Sequence, residues 1–316
     1  MKKIVIIGEV LAEIMADKIG EGFREVQSLT GPFPSGAPAI FADQVAKMGQ
    51  PVSIVSAVGD DDFGHLNLDR LRQDGVDVSG VFVDKERPTG SAFVRYRENG
   101  ERDFVFNIFH SAAGRLNVTD TVKALLDSAD HLHVMGSSLS SPEFVALNLR
   151  AAEVIRGNGG SVSFDPNLRR EILSAEGMAE AMSRMISMTD LFLPSGSELT
   201  FLTQSTAPEA AIEELLERGV QAIVHKRGAD GASFHDKLGT LAMDALTVKE
   251  IDPTGAGDCF GGTFIALWLR GTGAQRALRL AAASGALAVT KRGPMEGTAT
   301  PTELEDFIRS IGESSR

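Results

Sequence analysis

Short apolar runs alternate along the chain with longer segments of helical periodicity. Each run is followed by a glycine or a polar turn, and the run at 4–7 contains no polar position. Continuous apolar runs are typical of parallel strands that are buried on both faces. The strand-like runs lie at 4–7, 53–58, 131–135, 161–164, 191–193 and 222–226, and the helix-like segments lie near 37–48, 64–73, 142–156, 176–187, 207–218, 258–270 and 274–290. This alternation predicts an α/β fold whose mainly parallel sheet is covered by helices on both faces.

A second pattern interrupts this alternation between residues 89 and 109. Polar and apolar positions alternate on either side of a turn at 98–100, as in two strands of a sheet with one exposed face. Together with residues 13–30, the segment is predicted to form a small antiparallel sheet that stands off the main domain as a lid. An edge hairpin without a functional role is the alternative. Since no linker or internal repeat divides the chain, we expect one domain over residues 1–316, with the lid at about 13–30 and 89–109.

Composition and charge narrow the classes of partner. The 316 residues carry a net charge of −12 and no long basic run, which argues against a nucleic-acid partner. The single cysteine, Cys259, excludes an internal disulfide framework and a zinc site built from cysteines. The apolar run near the N-terminus is too short for a signal peptide, and no stretch approaches the ~20 apolar residues of a membrane helix. We therefore expect a cytoplasmic protein with no membrane partner.

Polar clusters follow the predicted strands where each strand ends. They are Gly8-Glu9, Gly59-Asp60-Asp61, Gly136-Ser137, Asp165-Pro166-Asn167, Ser195-Gly196-Ser197-Glu198 and Lys226-Arg227-Gly228. In open parallel sheets, ligands bind beyond the carboxyl ends of the strands. Loops are polar in any protein, but the concentration of aspartate and glycine here indicates a ligand site on this rim.

The segment "DPTGAGDCF" at 252–260 concentrates glycine and aspartate at the start of an apolar helix. Gly255, Ala256 and Gly257 would leave backbone amides unpaired at the helix N-terminus, where the helix dipole also favours an anion such as phosphate. Neither the Walker A fingerprint nor the dinucleotide fingerprint is present.

Asp258 lies inside this anion-binding segment, where its charge would repel phosphate. A carboxylate there is explained if it accepts the proton of a hydroxyl that attacks phosphorus, while the amides stabilise the transferred group. The alternative is that Asp258 only satisfies amides at the helix start.

These residues resemble the signature of the ribokinase-like, or pfkB, carbohydrate kinases, and further motifs agree in order along nearly the whole chain. They are "GEVLAEI" at the first strand, "SGAPAIFADQVAKMG" at 35–49, "VGDDDFG" at 58–64, "FDPNLR" at 164–169, "SGSELTFL" at 195–202 and "KRGADGA" at 226–232. The resemblance implies a three-layer α/β/α core with a small β-sheet lid. It also implies transfer of the γ-phosphate of ATP to a sugar hydroxyl, with Mg²⁺.

By position, the resemblance makes Asp258 the catalytic base and Gly255, Ala256 and Gly257 the anion hole, with Arg169 steadying the phosphate or a substrate oxygen. Glu198 resembles the glutamate that helps to position Mg²⁺, although Ser195 replaces the asparagine usual at that place. The remaining cofactor-binding positions are Lys226, with Gly228, Gly231, Ala283 and Ala286 around the adenine. Asp252 and Thr254 match positions of a monovalent-cation site, which suggests K⁺ as a further cofactor.

The substrate branch that the motifs most resemble contains fructokinases and 2-keto-3-deoxygluconate kinases. The expected sugar contacts are Glu13, Gly36, Ala37, Asn107, Asp165 and Asn167. Ile40 replaces a sugar-binding asparagine of relatives. Ile108 stands where the ketodeoxygluconate kinases have an arginine for the substrate carboxylate. Because a buried carboxylate without a cation is costly, we expect a neutral ketohexose such as fructose or tagatose.

Alternatives to this function remain open at the level of sequence. They are a 2-keto-3-deoxygluconate kinase, a nucleoside kinase of the same fold, and a non-catalytic sugar-binding regulator, although the last is disfavoured by the intact Gly255–Asp258 segment. We also expect a homodimer formed through the lid, because a small sheet with one apolar face is marginally stable unless it is covered.

Overall fold

Two sheets organise the chain. The computed structural model describes residues 1–20, 22–98, 102–116, 118–139, 141–168 and 178–314. The large sheet contains β1 Ile4–Ile7, β4 Val52–Gly59, β5 Asp77–Asp84, β8 His131–Met135, β9 Ser161–Asp165, β10 Leu191–Phe192, β11 Ala222–Lys226, β12 Ala232–Asp236 and β13 Gly239–Met243. The small sheet contains β2 Leu11–Ala16, β3 Leu29–Ser35, β6 Gly90–Tyr96 and β7 Arg102–Asn107.

The large sheet is parallel except at one edge. Its strand order is β13-β12-β11-β10-β9-β8-β1-β4-β5, in which β12 pairs antiparallel with β11 and β13 pairs antiparallel with β12. The helices with eight or more residues are Ala37–Lys47, Asp62–Asp74, Asp120–Asp127, Pro142–Gly157, Met178–Ser187, Pro208–Glu217, Ala256–Leu269, Ala274–Val289 and Pro301–Ser314. Parallel neighbours need a crossover between them, and the first six of these helices lie between successive parallel strands and supply the crossovers. The last three follow β13.

The apolar strand at the centre of the large sheet serves two hydrophobic cores. Ile4 and Ile6 of β1 pack in one core with Phe264. Val5 and Ile7 point to the opposite face and pack in a second core with helix residues such as Ile155. Successive side chains of a strand point to opposite faces, so helices on both sides of the sheet are needed to cover them. The predicted three-layer α/β/α core is confirmed.

Elements at the periphery were absent from the predicted pattern. These are β5, β12, β13 and the helices at 120–127 and 301–314. β5 is an edge strand whose positions are only partly buried, and every residue of β13 is exposed or half-buried. The apolar runs in these strands are at most three residues long, at 81–83 in β5 and at 241–243 in β13, and runs this short predict strands poorly.

The small sheet has a mixed topology. Its order is β3-β2-β6-β7, with antiparallel outer pairs and a parallel central pair in which Leu11 lies opposite Gly90. The expectation of an antiparallel sheet is therefore right for the outer pairs and wrong for the central one. β2 and β6 are distant in sequence, so no hairpin turn obliges them to be antiparallel.

The two faces of the small sheet have different environments. The inner face carries Tyr96 of β6, together with Phe106 of β7, which lines a cavity against the large sheet. On the outer face, the Phe93 ring meets the Phe23 ring at 6.3 Å, and Arg95 is only 1% exposed. The chain thus covers part of its own outer face. A homodimer through this sheet stays a prediction.

Among the described residues, none of the helices has both the length and the apolar character needed to cross a bilayer.

Two histidines are buried in the middle of the large sheet. His131 and His133 lie on β8, and hydrogen bonds of 2.7 Å join His131 to Ser161 and to Ser163. Burial lowers the pKa of the His131 imidazole to about 3, and it lowers the pKa of His133 as well. Both rings are therefore neutral in the folded protein at physiological pH.

This burial predicts acid lability. In the unfolded chain His131 takes up a proton below about pH 6.5, whereas the folded chain resists protonation until about pH 3. The unfolded state binds more protons, so stability falls as the pH falls through this window. At pH 5.0 His131 alone should lower the free energy of unfolding by about 2 kcal/mol relative to pH 7.5. Urea denaturation at both pH values measures this loss.

The control for this prediction is a pair of glutamine variants. His131→Gln retains hydrogen-bonding groups for Ser161 and Ser163 and should lose the His131 share of the pH dependence. His110→Gln, at an exposed histidine, should keep the wild-type slope. An unchanged slope in His131→Gln contradicts the assignment.

Candidate active site

A cavity of about 500 Å³ lies between the carboxyl ends of the central strands and the inner face of the small sheet. Its floor includes Glu9, Ser137, Asp165 and Lys226, which lie at or just after the ends of β1, β8, β9 and β11. Ligand sites are expected at this edge of a parallel sheet, and a volume of this size is typical of small-molecule sites.

One of the predicted polar clusters serves a structural purpose instead. Asp61 caps the helix at 62–74, where its Oδ1 accepts a hydrogen bond from the Gly64 amide at 2.8 Å. Its Oδ2 accepts another from the Thr89 amide, also at 2.8 Å. Asp61 does not line the cavity.

The helix Ala256–Leu269 begins at the cavity, two residues before the predicted start. Gly255 precedes it with φ +83°, a conformation that non-glycine residues rarely adopt. A Cβ atom at Gly255 would lie 2.4 Å from the carbonyl oxygen of Pro294. Gly257 and Asp258 therefore occupy the first turn, where backbone amides have no intrahelical acceptor and an anion can bind.

Asp258 is 8% exposed and lines the cavity. The side-chain amide of Asn167 lies 3.5 Å from its Oδ1. Asn167 has φ +40°, and its backbone amide donates to Asp165 Oδ1 at 3.2 Å. Asparagine tolerates this left-handed conformation better than most residues, so the turn after β9 brings Asn167 against Asp258.

A buried lysine lies beside the helix start. The Lys226 ammonium forms an ion pair with Asp165, and a Cβ atom at Gly257 would lie 3.6 Å from Lys226 Nζ. Burial alone would lower the pKa of Lys226, but the neighbouring Asp165 and Glu198 carboxylates raise it. The lysine therefore keeps its positive charge close to the predicted anion site.

Glu198 is held by backbone amides at the end of the cavity near Lys226. Its Oε1 accepts a hydrogen bond from the Leu168 amide at 2.7 Å, and its Oε2 accepts one from the Ser195 amide at 2.6 Å. Burial, with the charge of Asp165, raises the pKa of Glu198 to about 6. Ser195 thus holds Glu198 through its backbone amide. This hydrogen bond does not require the asparagine side chain that Ser195 replaces.

Two further carboxylates lie where the sugar is expected. Glu13 is 3% exposed, and its Oε2 accepts a hydrogen bond from the Ser35 hydroxyl at 2.9 Å. Glu9 lines the same cavity, and its Oε2 accepts a hydrogen bond from the Ser138 hydroxyl at 3.3 Å. Sequence reasoning placed Glu9 and Ser137 in polar clusters at the rim but did not single them out as site residues.

The opposite wall is apolar and comes mainly from the small sheet. It contains Leu11, Ile40, Ala92, Phe104, Phe106, Ile108 and Phe109. Arg102 lines the cavity too, with its guanidinium 5.4 Å from the centre of the Phe104 ring. No sequence pattern distinguishes Phe104 or Arg102 as cavity residues unless the register of β7 is known.

Several predicted contacts lie elsewhere. Asn107 pairs with Ser91 at the outer face of the small sheet, because side chains alternate along β7 and Phe106 points inward. Ala283 is fully buried in a hydrophobic core. Gly231 is closed off, since a Cβ atom there would lie 2.0 Å from the Met243 carbonyl oxygen. The structure therefore contradicts the prediction that Asn107, Ala283 and Gly231 contact ligands.

The other predicted residues divide into two groups. Gly36, Ala37, Gly255, Gly257 and Thr254 line the cavity with the residues described above. Ala256, Gly228, Ala286 and Asp252 do not line it, although Gly228 is exposed and Ala286 is half-buried. Arg169 lies outside the described residues.

The residues matched to a monovalent-cation site form a hydrogen-bonded group. Asp252 Oδ1 accepts from the Thr254 amide at 2.9 Å, and Asp252 Oδ2 accepts from the Gly293 amide at 3.0 Å. The Tyr96 hydroxyl also donates to Oδ1. A carboxylate has about four acceptor positions, so one remains, and the cation site stays a prediction.

Comparisons with a family model and with individual proteins point to the same family. The model of the pfkB family carbohydrate kinases matches residues 1–302. The 2-dehydro-3-deoxygluconokinase of Thermoproteus tenax is 32% identical over 98% of this chain and 95% of that protein.

Two solved structures show the same fold with ligands. A putative ribokinase II from E. coli, in complex with ATP and Mg²⁺, superposes with a TM-score of 0.92 at 45% identity, over 98% of this chain and 100% of that chain. A double mutant of fructokinase from Vibrio cholerae O395, with fructose, ADP and potassium ion bound, has a TM-score of 0.83 at 26% identity, over 97% of this chain and 98% of that chain.

The geometry of the helix start predicts the effect of Gly255→Ala. The added methyl group would meet the Pro294 carbonyl and force a strained φ, so the first-turn amides should move. We expect stability to fall by about 1–3 kcal/mol and the binding of ATP, the ligand expected from the sequence, to weaken. Urea denaturation and calorimetric titration measure the two effects.

Gly271→Ala is the matched control. Gly271 follows the same helix at its other end, with φ +72° and no atom within 4 Å of an added Cβ. It should lose stability through backbone strain while it binds ATP like the wild type. ATP binding by Gly255→Ala at wild-type strength would contradict the placement of the anion site.

Proposed function

Since this chain belongs to the pfkB family of carbohydrate kinases, we propose that it transfers the γ-phosphate of ATP to a hydroxyl group of a neutral ketohexose such as fructose or tagatose. Family membership makes it a phosphotransferase with an alcohol acceptor. The observation that carries the proposal is the position of Asp258, whose side chain lines the same cavity as the helix-start glycines and Glu13.

Asp258 acts as the general base. It accepts the proton of the sugar hydroxyl as that oxygen attacks the γ-phosphorus, and the bond from phosphorus to the ADP oxygen breaks. Asn167, 3.5 Å from Oδ1, orients the carboxylate. Because Asp258 is mostly buried, its interaction with a bound hydroxyl is little weakened by water.

The charge on the transferred phosphoryl group is stabilised from the helix start. Gly257, in the first turn, lines the cavity and offers its amide to the incoming phosphate, and the Lys226 ammonium lies next to it. The Ala256 amide instead donates to the Pro253 carbonyl at 3.4 Å. These groups are fixed before substrate binds. They therefore stabilise the developing charge without rearranging during the reaction.

The acidic residues at the Lys226 end of the cavity suit Mg²⁺ held through water. Among the described residues, no group of three or more histidine, cysteine or acidic side chains could hold a metal by itself. Mg²⁺ in kinases takes one or two carboxylates together with substrate phosphates and water, and Glu198 and Asp165 supply such carboxylates. When bound, Mg²⁺ neutralises phosphate charge.

The end of the cavity near Glu9 and Glu13, here called the acceptor end, favours a neutral sugar. The carboxylates of Glu9 and Glu13 accept hydrogen bonds from sugar hydroxyls, and their negative charges disfavour a substrate that carries a carboxylate. Ile108 lines the cavity without a charge. The positive charge of Lys226 is already paired with Asp165.

One observation favours an acid sugar as a second candidate. Arg102 lines the cavity, and in the described part of the chain no carboxylate lies within ion-pair distance of it. Its Nη1 donates to the Thr254 hydroxyl at 3.1 Å. A 2-keto-3-deoxygluconate carboxylate could pair with this guanidinium, as arginine often does with carboxylates.

Removal of the base should separate chemistry from binding. Asp258→Asn keeps the size of the side chain but cannot accept the proton, so kcat should fall by about 10²-fold or more while ATP affinity is retained. Asp62→Asn, at an aspartate in the first turn of another helix, should leave kcat unchanged. Turnover by Asp258→Asn near the wild-type rate contradicts the assigned role.

A substrate panel tests the acceptor. ADP release is coupled to a spectrophotometric signal with fructose, tagatose, aldohexoses, 2-keto-3-deoxygluconate and adenosine, each at several concentrations. We expect the highest kcat/KM with a ketohexose. A higher kcat/KM with 2-keto-3-deoxygluconate would overturn the argument from Ile108 and would indicate that Arg102 binds the substrate carboxylate. A higher kcat/KM with adenosine would contradict a sugar as the acceptor.

A further inference from the structure

The small sheet is joined to the loop that precedes the catalytic helix. Tyr96, at the end of β6, donates its hydroxyl to Asp252 Oδ1 at 2.5 Å, and its oxygen lies 3.3 Å from the Thr254 hydroxyl. Arg102 pairs with Tyr96 across the two strands and donates to the same Thr254 hydroxyl at 3.1 Å. Both contacts connect one end of the β6–β7 pair with residues 252–254.

Asp252 collects hydrogen bonds from three separate segments. Its carboxylate is 2% exposed and accepts from the Thr254 amide, the Gly293 amide and the Tyr96 hydroxyl. The loop that contains Gly293 also supplies the Pro294 carbonyl that lies against Gly255. The carboxylate therefore links the small sheet to both loops that fix the start of the catalytic helix.

The Tyr96 hydroxyl is the contribution of the small sheet to this group. Burial and the neighbouring Asp252 carboxylate raise the pKa of the phenol, so it remains a donor throughout the physiological range. A hydrogen bond to a charged acceptor is stronger than one between neutral groups. Without the hydroxyl, Asp252 Oδ1 would keep only the Thr254 amide among the donors described here.

Asp252 is three residues before Gly255, so a shift of its carboxylate is transmitted along a short chain to the amides at the helix start. Misplacement of a reacting group by about 1 Å can cost about 10²-fold in rate. The inner face of the same sheet also carries Phe104 and Phe106, which cover the acceptor end of the cavity. One rigid element thus touches both the acceptor space and the phosphate-binding loop.

We propose that Tyr96, assisted by Arg102, is a positioning residue that couples the placement of the small sheet over the acceptor to the geometry of the phosphate-binding loop. This inference rests on the proposed kinase function. While the sheet lies over the cavity, Tyr96 and Arg102 hold Asp252 and Thr254, and this contact keeps the amides at the helix start in place for phosphoryl transfer. The structure shows these contacts formed, and an acceptor packed under Phe104 and Phe106 would stabilise the placement of the sheet that makes them.

Tyr96→Phe tests the coupling because it keeps the aromatic ring and removes only the hydroxyl. With the sugar that gives the highest kcat/KM in the panel, kcat should fall by about 10-fold or more, and KM for sugar and ATP should each change by less than about 3-fold. Ser53→Ala removes a hydroxyl that donates to the Asp77 carboxylate in the large sheet, away from the cavity. It should match the wild type in all three constants.

A binding measurement supplies a readout that does not depend on turnover. Calorimetry gives the affinity for the ATP analogue AMP-PNP with and without the same sugar. In the wild type and in Ser53→Ala, sugar should tighten AMP-PNP binding by about 5-fold or more. In Tyr96→Phe this factor should approach one. A factor equal to that of the wild type overturns the proposal.

Hydrogen exchange of the wild-type protein keeps the test valid if Tyr96→Phe fails to fold. Sugar alone should slow exchange of the amides at 252–255. Protection of β6 and β7 without any change at 252–255 would refute the coupling. If the wild type phosphorylates no substrate of the panel, the proposed kinase function fails. This result differs from failure of the coupling, in which the wild type is active but Tyr96→Phe behaves like it.

Discussion

The site depends on a carboxylate that is held at the N-terminus of a buried helix. Burial of a charge is costly unless it is compensated, and here the compensation comes from the helix dipole, the Asn167 amide and the nearby Lys226 ammonium. The same amides and ammonium are the groups that attract a phosphate. In the proposed reaction, Asp258 is therefore a base whose surroundings also bind the phosphoryl group that the sugar hydroxyl attacks.

The conformation of Gly255 makes this arrangement possible. Its positive φ turns the chain sharply into the helix, and its missing side chain lets the Pro294 carbonyl approach. A larger residue would push the loop away from its neighbours. Beyond the loop, Asp252 ties the turn to the small sheet through Tyr96, so the geometry of the anion site is shared between the core and the element that covers the acceptor.

The sequence was sufficient for the core and for much of the site, for a physical reason. Strands such as β1 are buried on both faces and leave an apolar run, while the glycines and aspartates of the rim are required by close backbone approach and by charge. The register of the strands in the small sheet could not be predicted from the sequence. A shift of one residue reverses the face of a strand, so Asn107 could not be told from Phe106 as the inward residue. The Tyr96–Asp252 contact joins residues 156 apart, and neither position belongs to a pattern that predicts the other.

The most direct measurement of the central claim is a crystal structure of the protein with its preferred sugar and AMP-PNP. The account predicts that one sugar hydroxyl lies at about 2.6–3.2 Å from a carboxylate oxygen of Asp258, with the γ-phosphate against the amides at 255–257. A sugar whose nearest carboxylate to the phosphate-facing hydroxyl is Asp165, or a γ-phosphate bound away from this loop, would contradict it.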